Sequence, residues 1–333
     1  MKLSDKMPKE IANPYVEDFS NLLGKTVETV LKVVSKRLQE SRDQKKFLLM
    51  TLADRTGSVR AVDWHNAQEN DARIKTGDVL RVRGRLVYFE DRIQLNIDKD
   101  IDSVVILEKG EYDPFRFVSR SKKDPNEILK EVEKMARSVE DTDFRNLLLA
   151  VFKDRSFSEV LKESPAGIRV HHAYVGGLLE HSLSVAKMAE YASRLYDLDR
   201  DLLITGALLH DIGKSVEYRI GPSGIEVTTE GELKGHIIAG LEIVRRFARK
   251  VGLPKNKLLE IEHIIASHHG DLEYGSPVLP KTPEALVIHF LENMDAKLAR
   301  FFDIRDKAEP GKEWSEYDRN LGRRVFLRGK ERE

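Results

Sequence analysis

Histidine and aspartate recur in this chain at places where their side chains converge on a shared site. The sequence has ten histidines and no cysteine, so disulfides, thiolate ligands and cysteine nucleophiles are excluded. A metal here would be held by His, Asp and Glu. His181 lies at helical offsets from Leu178, Val185 and Met188, which turns its imidazole into a core rather than into water. His210-Asp211 closes the apolar run LLITGALL, where adjacent nitrogen and oxygen ligands can grip one ion or bridge two. Asp295 falls on the face of Val287, Leu291, Met294 and Leu298, and a carboxylate on an apolar stripe requires a cation or hydrogen bonds. A divalent ion shared by His181, His210, Asp211 and Asp295 satisfies all of these demands. Lys214 follows Asp211 by one turn and is placed to stabilise phosphoryl charge or the leaving oxygen. His236 shares an inner face with Gly240, Ile243 and Phe247, while His268-His269 ends the run from Leu258 to Ser267. These three suggest a second ion, or a single-metal site whose extra histidines hold phosphate.

The elements that must position these residues fall into two blocks. From Thr26 to Ile101, TVETVLKVVSKRL, KKFLLMTLADRTG, GSVRAVDWH, GDVLRVRGRLVYFE and DRIQLNIDKDI read as five strands, with a short helix at Ala67 to Ile74 after the third. That order predicts an all-β OB barrel over residues 20–108. A polar lead-in (1–19) precedes it, and a linker with a first helix (109–140) follows. From Asn126 to Phe302 apolar residues recur at three- and four-residue spacing, predicting an all-α bundle whose site-bearing domain spans 141–310. One interruption, Arg219 to Gly235, reads as a hairpin or mobile loop. The tail 311–333 is basic and expected to fray.

Charge is balanced at 56 basic and 56 acidic residues, so nucleic-acid binding must come from local patches. Arg60, Trp64, Arg85, Tyr88 and Arg92 lie on the last three strands, suited to tracking phosphates and stacking bases; aromatic and Arg residues also favour self-association into a homo-oligomer. No run reaches a membrane span and the N-terminus lacks a signal-peptide core, so the chain is expected in the cytoplasm.

The order His181, His210-Asp211, Asp295 resembles the HD-domain metal-dependent phosphohydrolases. HHAYVGGLLEHS, LLHDIGK, SHHGDLEYGSPVLPKTPEAL and LENMDAKL, behind an OB pattern, are similar more specifically to the YhaM-type 3′→5′ exoribonucleases over about residues 20 to 310. The resemblance implies a divalent metal, often manganese, and removal of nucleotides from single-stranded RNA, with single-stranded DNA a further candidate. It also implies that Asp211 bridges two ions, with His181, His210 and Asp295 on one and His236, His268 and His269 on the other. One of His171 and His172 resembles an element facing substrate, and His172 is the candidate carried forward. An HD phosphohydrolase of cyclic dinucleotides or nucleotides, and a non-catalytic nucleic-acid-binding protein, remain as rivals.

Overall fold

The computed structural model describes residues 11–118, 120–121, 123–168, 172–221, 224–308 and 311–327. The chain divides into two compact units, residues 1–119 with 220–224 and residues 120–219 with 225–333.

In the first unit the strands are β1 (Ile11–Ala12), β2 (Thr26–Glu40), β3 (Lys46–Asp54), β4 (Gly57–Asp63), β5 (Val79–Phe89), β6 (Arg92–Ile97) and β7 (Val104–Leu107), with helix α1 (Ala67–Arg73) between β4 and β5. They pair in the order β2-β3-β4-β6-β5, and β5 returns to β2. Closure removes the free edges. β4 runs parallel to β6 while β2 and β5 are antiparallel, as in the five-stranded OB arrangement expected. Alternation fills the interior with Leu31, Val33, Met50, Leu52, Leu80, Val82 and Leu86 and leaves Arg81 and Arg85 outside. The β5–β6 hairpin turns at Glu90-Asp91, both with positive φ (49° and 59°), the backbone of a two-residue turn that matches strand twist.

Part of the expected lead-in is folded. A 3-10 turn over Val16–Leu22 buries Phe19, and the guanidinium of buried Arg116 donates to Val30 O (2.6 Å), Thr29 Oγ1 (2.8 Å) and Asn13 O (3.2 Å).

The second unit contains α2 (Pro125–Arg137), α3 (Thr142–Phe152), α4 (Arg155–Glu163), α5 (Gly177–Ala192), α6 (Arg200–Leu209), α7 (Lys214–Glu217), α8 (Thr229–Val251), α9 (Lys255–Ser267) and α10 (Pro283–Asp306). Asp124, Asp141, Asp154, Asp199, Thr228 and Thr282 cap helix starts by accepting from backbone amides. Leu147, Val185, Leu203, Val244 and Ile264 form the centre of one apolar core.

Two details differ from the sequence reading. α4 was not anticipated; at nine residues it supplies only two turns of pattern. The Arg219–Gly235 interruption, by contrast, holds the hairpin that was one of its two expected forms, β8 (Tyr218–Gly221) and β9 (Gly224–Val227), followed by the opening of α8. The tail, expected to fray, is folded through Leu327: Leu321, Val325 and Leu327 pack on Phe301 and Ile304 of α10. Its last six residues, 328–333, lie outside the described residues.

Candidate metal centre

Asp211 is the hub. It is fully buried, one residue past the C-cap of α6, and its two oxygens face different histidines. Oδ2 lies 3.4 Å from His181 Nε2 and 3.5 Å from His210 Nε2. Oδ1 lies 3.4 Å from His268 Nε2 and 3.8 Å from His236 Nε2. His236 and His269 meet at 3.3 Å through their Nε2 atoms. Two groups result, His181–His210–Asp211 and Asp211–His236–His268–His269, each with donor atoms within 4.8 Å of one another.

The surroundings fix which ring nitrogen faces the centre. A carbonyl can only accept, so the Nδ1–H groups of His210, His268 and His269 donate to Ala207 O, Ile265 O and Tyr274 O at 2.8, 2.8 and 2.9 Å. Each Nε2 is left as a lone pair pointing inward, the arrangement outer partners give metal-bound imidazoles. His236 Nδ1 sits 2.9 Å from Glu217 Oε2. Asp211 Oδ1 and His268 Nε2 are buried with no hydrogen-bond partner, and buried polar atoms are rarely left so. These atoms fit a divalent cation.

Backbone breaks hold the histidines in place. Gly235 takes φ 69°, ψ 164° inside α8, so a new helical segment starts at His236, the start the pattern predicted. A Cβ on Gly213 would stand 1.8 Å from His236 O, so only glycine allows α7 and α8 to approach. His289 donates from Nδ1 to His268 O at 2.9 Å, a structural role in keeping with its place off the inward face.

Asp295 is brought to the site, but from the other side of His181. Its Oδ2 lies 2.7 Å from His181 Nδ1 and 2.9 Å from His172 Nε2, a third cluster of possible donors. The stripe that located it is only partly buried: Met294 and Leu298 are exposed, and Ala285 and Ile288 carry the packing. His172 also meets Tyr174 Oη at 2.7 Å, which donates to Glu180 at 3.0 Å. His171 lies outside the described residues. Sequence reasoning missed Glu217, Tyr174 and Glu180 as supports; only the closeness of Glu180 to His181 in the chain hinted at one.

Charge is tightly coupled here. Burial opposes a proton on His181, but its hydrogen bonds to Asp211 and Asp295 outweigh it and push its pKa up to about 9. Burial pushes the other way on Asp211 too, yet Lys214 and the surrounding imidazoles hold its carboxyl well below the usual range. The ammonium of Lys214 sits 2.6 Å from Asp211 Oδ2. His210 is held far below its ordinary value by burial, and His269 falls to about 3 through burial and its neighbours His268 and His236. Asp295 is lowered by His172 and His181 against the cost of burial.

On the barrel, Trp64 stacks on Phe47 with ring centroids 4.5 Å apart. Arg60 pairs with Glu90 at 3.1 Å and lies 5.7 Å from the Phe89 ring centroid. Arg85 Nε donates to Gly24 O at 3.1 Å, while Tyr88 and Arg92 are exposed. Phe47 of β3 and Arg60 of β4 thus lie on adjoining strands, with Trp64 one residue past the end of β4, off the strand on which the sequence placed it, and Arg85 on β5 two pairings away.

Two family models match these units: an HD domain over residues 178–297 and an OB-fold nucleic acid binding domain over 28–102. A third, for a helicase family, matches 119–201 and overlaps the HD match. Among curated proteins the chain is 29% identical over 312 residues to the 3′-5′ exoribonuclease YhaM of Shouchella clausii, covering 92% of this chain and 94% of that one. It is 29% identical over 307 residues to YhaM of Bacillus subtilis, covering 92% and 96%. YhaM of Listeria monocytogenes is 29% identical over 305 residues, covering 91% and 95%. Among the described residues no helix is long and apolar enough to cross a membrane. The chain is thus an OB-fold and HD-domain protein, a metal-dependent hydrolase similar along nearly its whole length to the YhaM-type exoribonucleases.

Proposed function

We propose that the chain is a cytoplasmic, metal-dependent 3′→5′ exoribonuclease that shortens single-stranded RNA, and also accepts single-stranded DNA, releasing nucleoside 5′-monophosphates. The observation that carries the phosphodiesterase reading is Asp211, whose two oxygens face two separate histidine sets. His181, His210 and Asp211, with Asp295 beside them, would hold one Mn²⁺, and Asp211, His236, His268 and His269 would hold a second. Paired divalent ions activate water and stabilise the entering and leaving oxygens of a phosphodiester displacement. In the overall reaction water adds to phosphorus, the P–O3′ bond breaks, and O3′ of the shortened chain takes the proton.

The chain's own groups bind and orient. Lys214, held on Asp211, brings a cation to the developing phosphoryl charge. His172, fixed between Tyr174 and Asp295, faces the substrate phosphate. On the barrel Arg60, Trp64, Arg85, Tyr88 and Arg92 grip the single strand, and the polarity and the RNA preference rest on the likeness to YhaM. Initial rates on RNA, single-stranded DNA of the same sequence, a cyclic dinucleotide and nucleoside triphosphates, all with Mn²⁺, test the reading. Fastest turnover of RNA, with 5′-monophosphate products, is expected. Turnover confined to the small nucleotides would replace this function with that of a nucleotide phosphohydrolase.

A further inference from the structure

A cavity of about 520 Å³ opens beside the second histidine set, with His269 in its wall. That is ample for a small-molecule ligand. One side is α10, which contributes Asn293 and Lys297; the other is the turn Arg319–Arg323 of the C-terminal segment, and Tyr274 borders it near His269. The segment reaches this place because it is anchored. Leu321, Val325 and Leu327 are buried against α10, Arg300 donates to Asp318 at 2.5 and 3.0 Å, and Asp318 Oδ1 accepts from Leu321 N at 2.9 Å. The turn is therefore a built wall.

Its charges are unequal in kind. Arg300 is neutralised by Asp318 and Asp303. Lys297 and Arg319 line the same cavity and are exposed, and among the described residues no hydrogen bond or ion pair engages either. Glu292 of α10 is the acidic residue in the lining, and two unpaired cations against one carboxylate leave an excess of positive charge that repels a cation-binding centre unless a further anion lies between them. Tyr274 is 63% exposed, while its carbonyl is fixed by His269. An exposed aromatic ring held beside free cations is the pairing that receives stacked bases and their phosphates.

We propose that this cavity is a nucleotide subsite for the RNA chain. Lys297 and Arg319 take the phosphates of the nucleotides adjoining the scissile bond, and the ring of Tyr274 stacks on a base. The C-terminal segment, by forming one wall, is part of the substrate path. This inference rests on the exoribonuclease reading and deepens it.

The test is steady-state degradation of a 5′-labelled oligoribonucleotide by the full chain across a series of salt concentrations. Neutralising a phosphate contact on a single strand flattens the dependence of log affinity on log salt by about 0.7. The double variant Lys297→Ala/Arg319→Ala is expected to lose about 10-fold or more in kcat/KM at low salt, mostly through KM, with the salt slope flattened by about 1.4 in line with two lost contacts. The charge-keeping pair Lys297→Arg/Arg319→Lys should retain the wild-type slope, which a loss of folding would not allow. A double alanine variant with wild-type slope and KM, beside a wild type that degrades RNA, would overturn the subsite alone. A wild type inert on RNA would overturn the proposed function and the subsite together.

Discussion

Asp211→Asn is expected to reduce hydrolysis by more than the ~10–100-fold that loss of an outer partner costs a metal site, because one substitution weakens both ligand groups. The amide keeps the shape of the carboxylate, but it has no charge to offer two cations and one oxygen instead of two. The apolar core of Leu147, Val185, Leu203 and Ile264 is untouched, so far-UV circular dichroism should report an intact helical unit. Rates in metal-replete buffer and metal content after dialysis are the readouts. A loss of no more than ~100-fold, as expected for an outer residue, would remove Asp211 from the centre.

Metal loading should raise the melting temperature, and the rise should grow with pH. In the metal-free protein His181 binds its proton with a pKa of about 9 against 6.5 in the unfolded chain. A raised pKa gives stability that is fully present below 6.5 and lost as pH climbs towards 9. The lowered carboxyls of Asp211 and Asp295 act in the opposite sense, their contribution present above the ordinary value of 3.8 and lost below it. His210 and His269, held below 6.5, act against the His181 contribution, because their cost falls away as the unfolded chain loses its protons, so the pH dependence of the gap comes from metal affinity. An ion needs the His181 nitrogen without its proton, so metal affinity rises over the same window. Saturation about 1,000-fold above Kd stabilises by ~4 kcal/mol, which at ~2–4 °C per kcal/mol for a domain of this size is ~10 °C. Thermal unfolding with Mn²⁺ and with a chelator, at pH 6 and pH 8, should show the larger gap at pH 8. A gap that is flat or shrinks with pH would contradict the protonated His181.

The barrel was legible because each strand carries its burial pattern locally. Leu80, Val82 and Leu86 face inward between outward Arg81 and Arg85, and the Glu90-Asp91 turn marks its own hairpin. His181, His210, Asp211, His236 and His268 were legible for a related reason. Each sits at the inward face or the end of an apolar run, and the structure gathers them around one carboxylate. What local pattern does not encode is which partner a side chain meets across the fold. His172 and Asp295 are 123 residues apart, and nothing near either foretells the contact. Glu217 escaped notice for the same reason, since its value lies in the approach of α7 to His236. The C-terminal tail was misread because its apolar residues mix a helical step, Leu321 to Val325, with a strand step, Val325 to Leu327, so no single period runs through them. Its basic residues dominate its appearance, while three buried side chains decide its place.

The most direct test of metal-dependent 3′→5′ hydrolysis is a time course on single-stranded RNA labelled at its 5′ end, with Mn²⁺ and with excess chelator. With Mn²⁺ the label should stay on a chain that shortens gradually from full length, and with chelator the RNA should remain whole. Immediate release of a labelled mononucleotide, scattered internal fragments, or shortening that persists in chelator would contradict it.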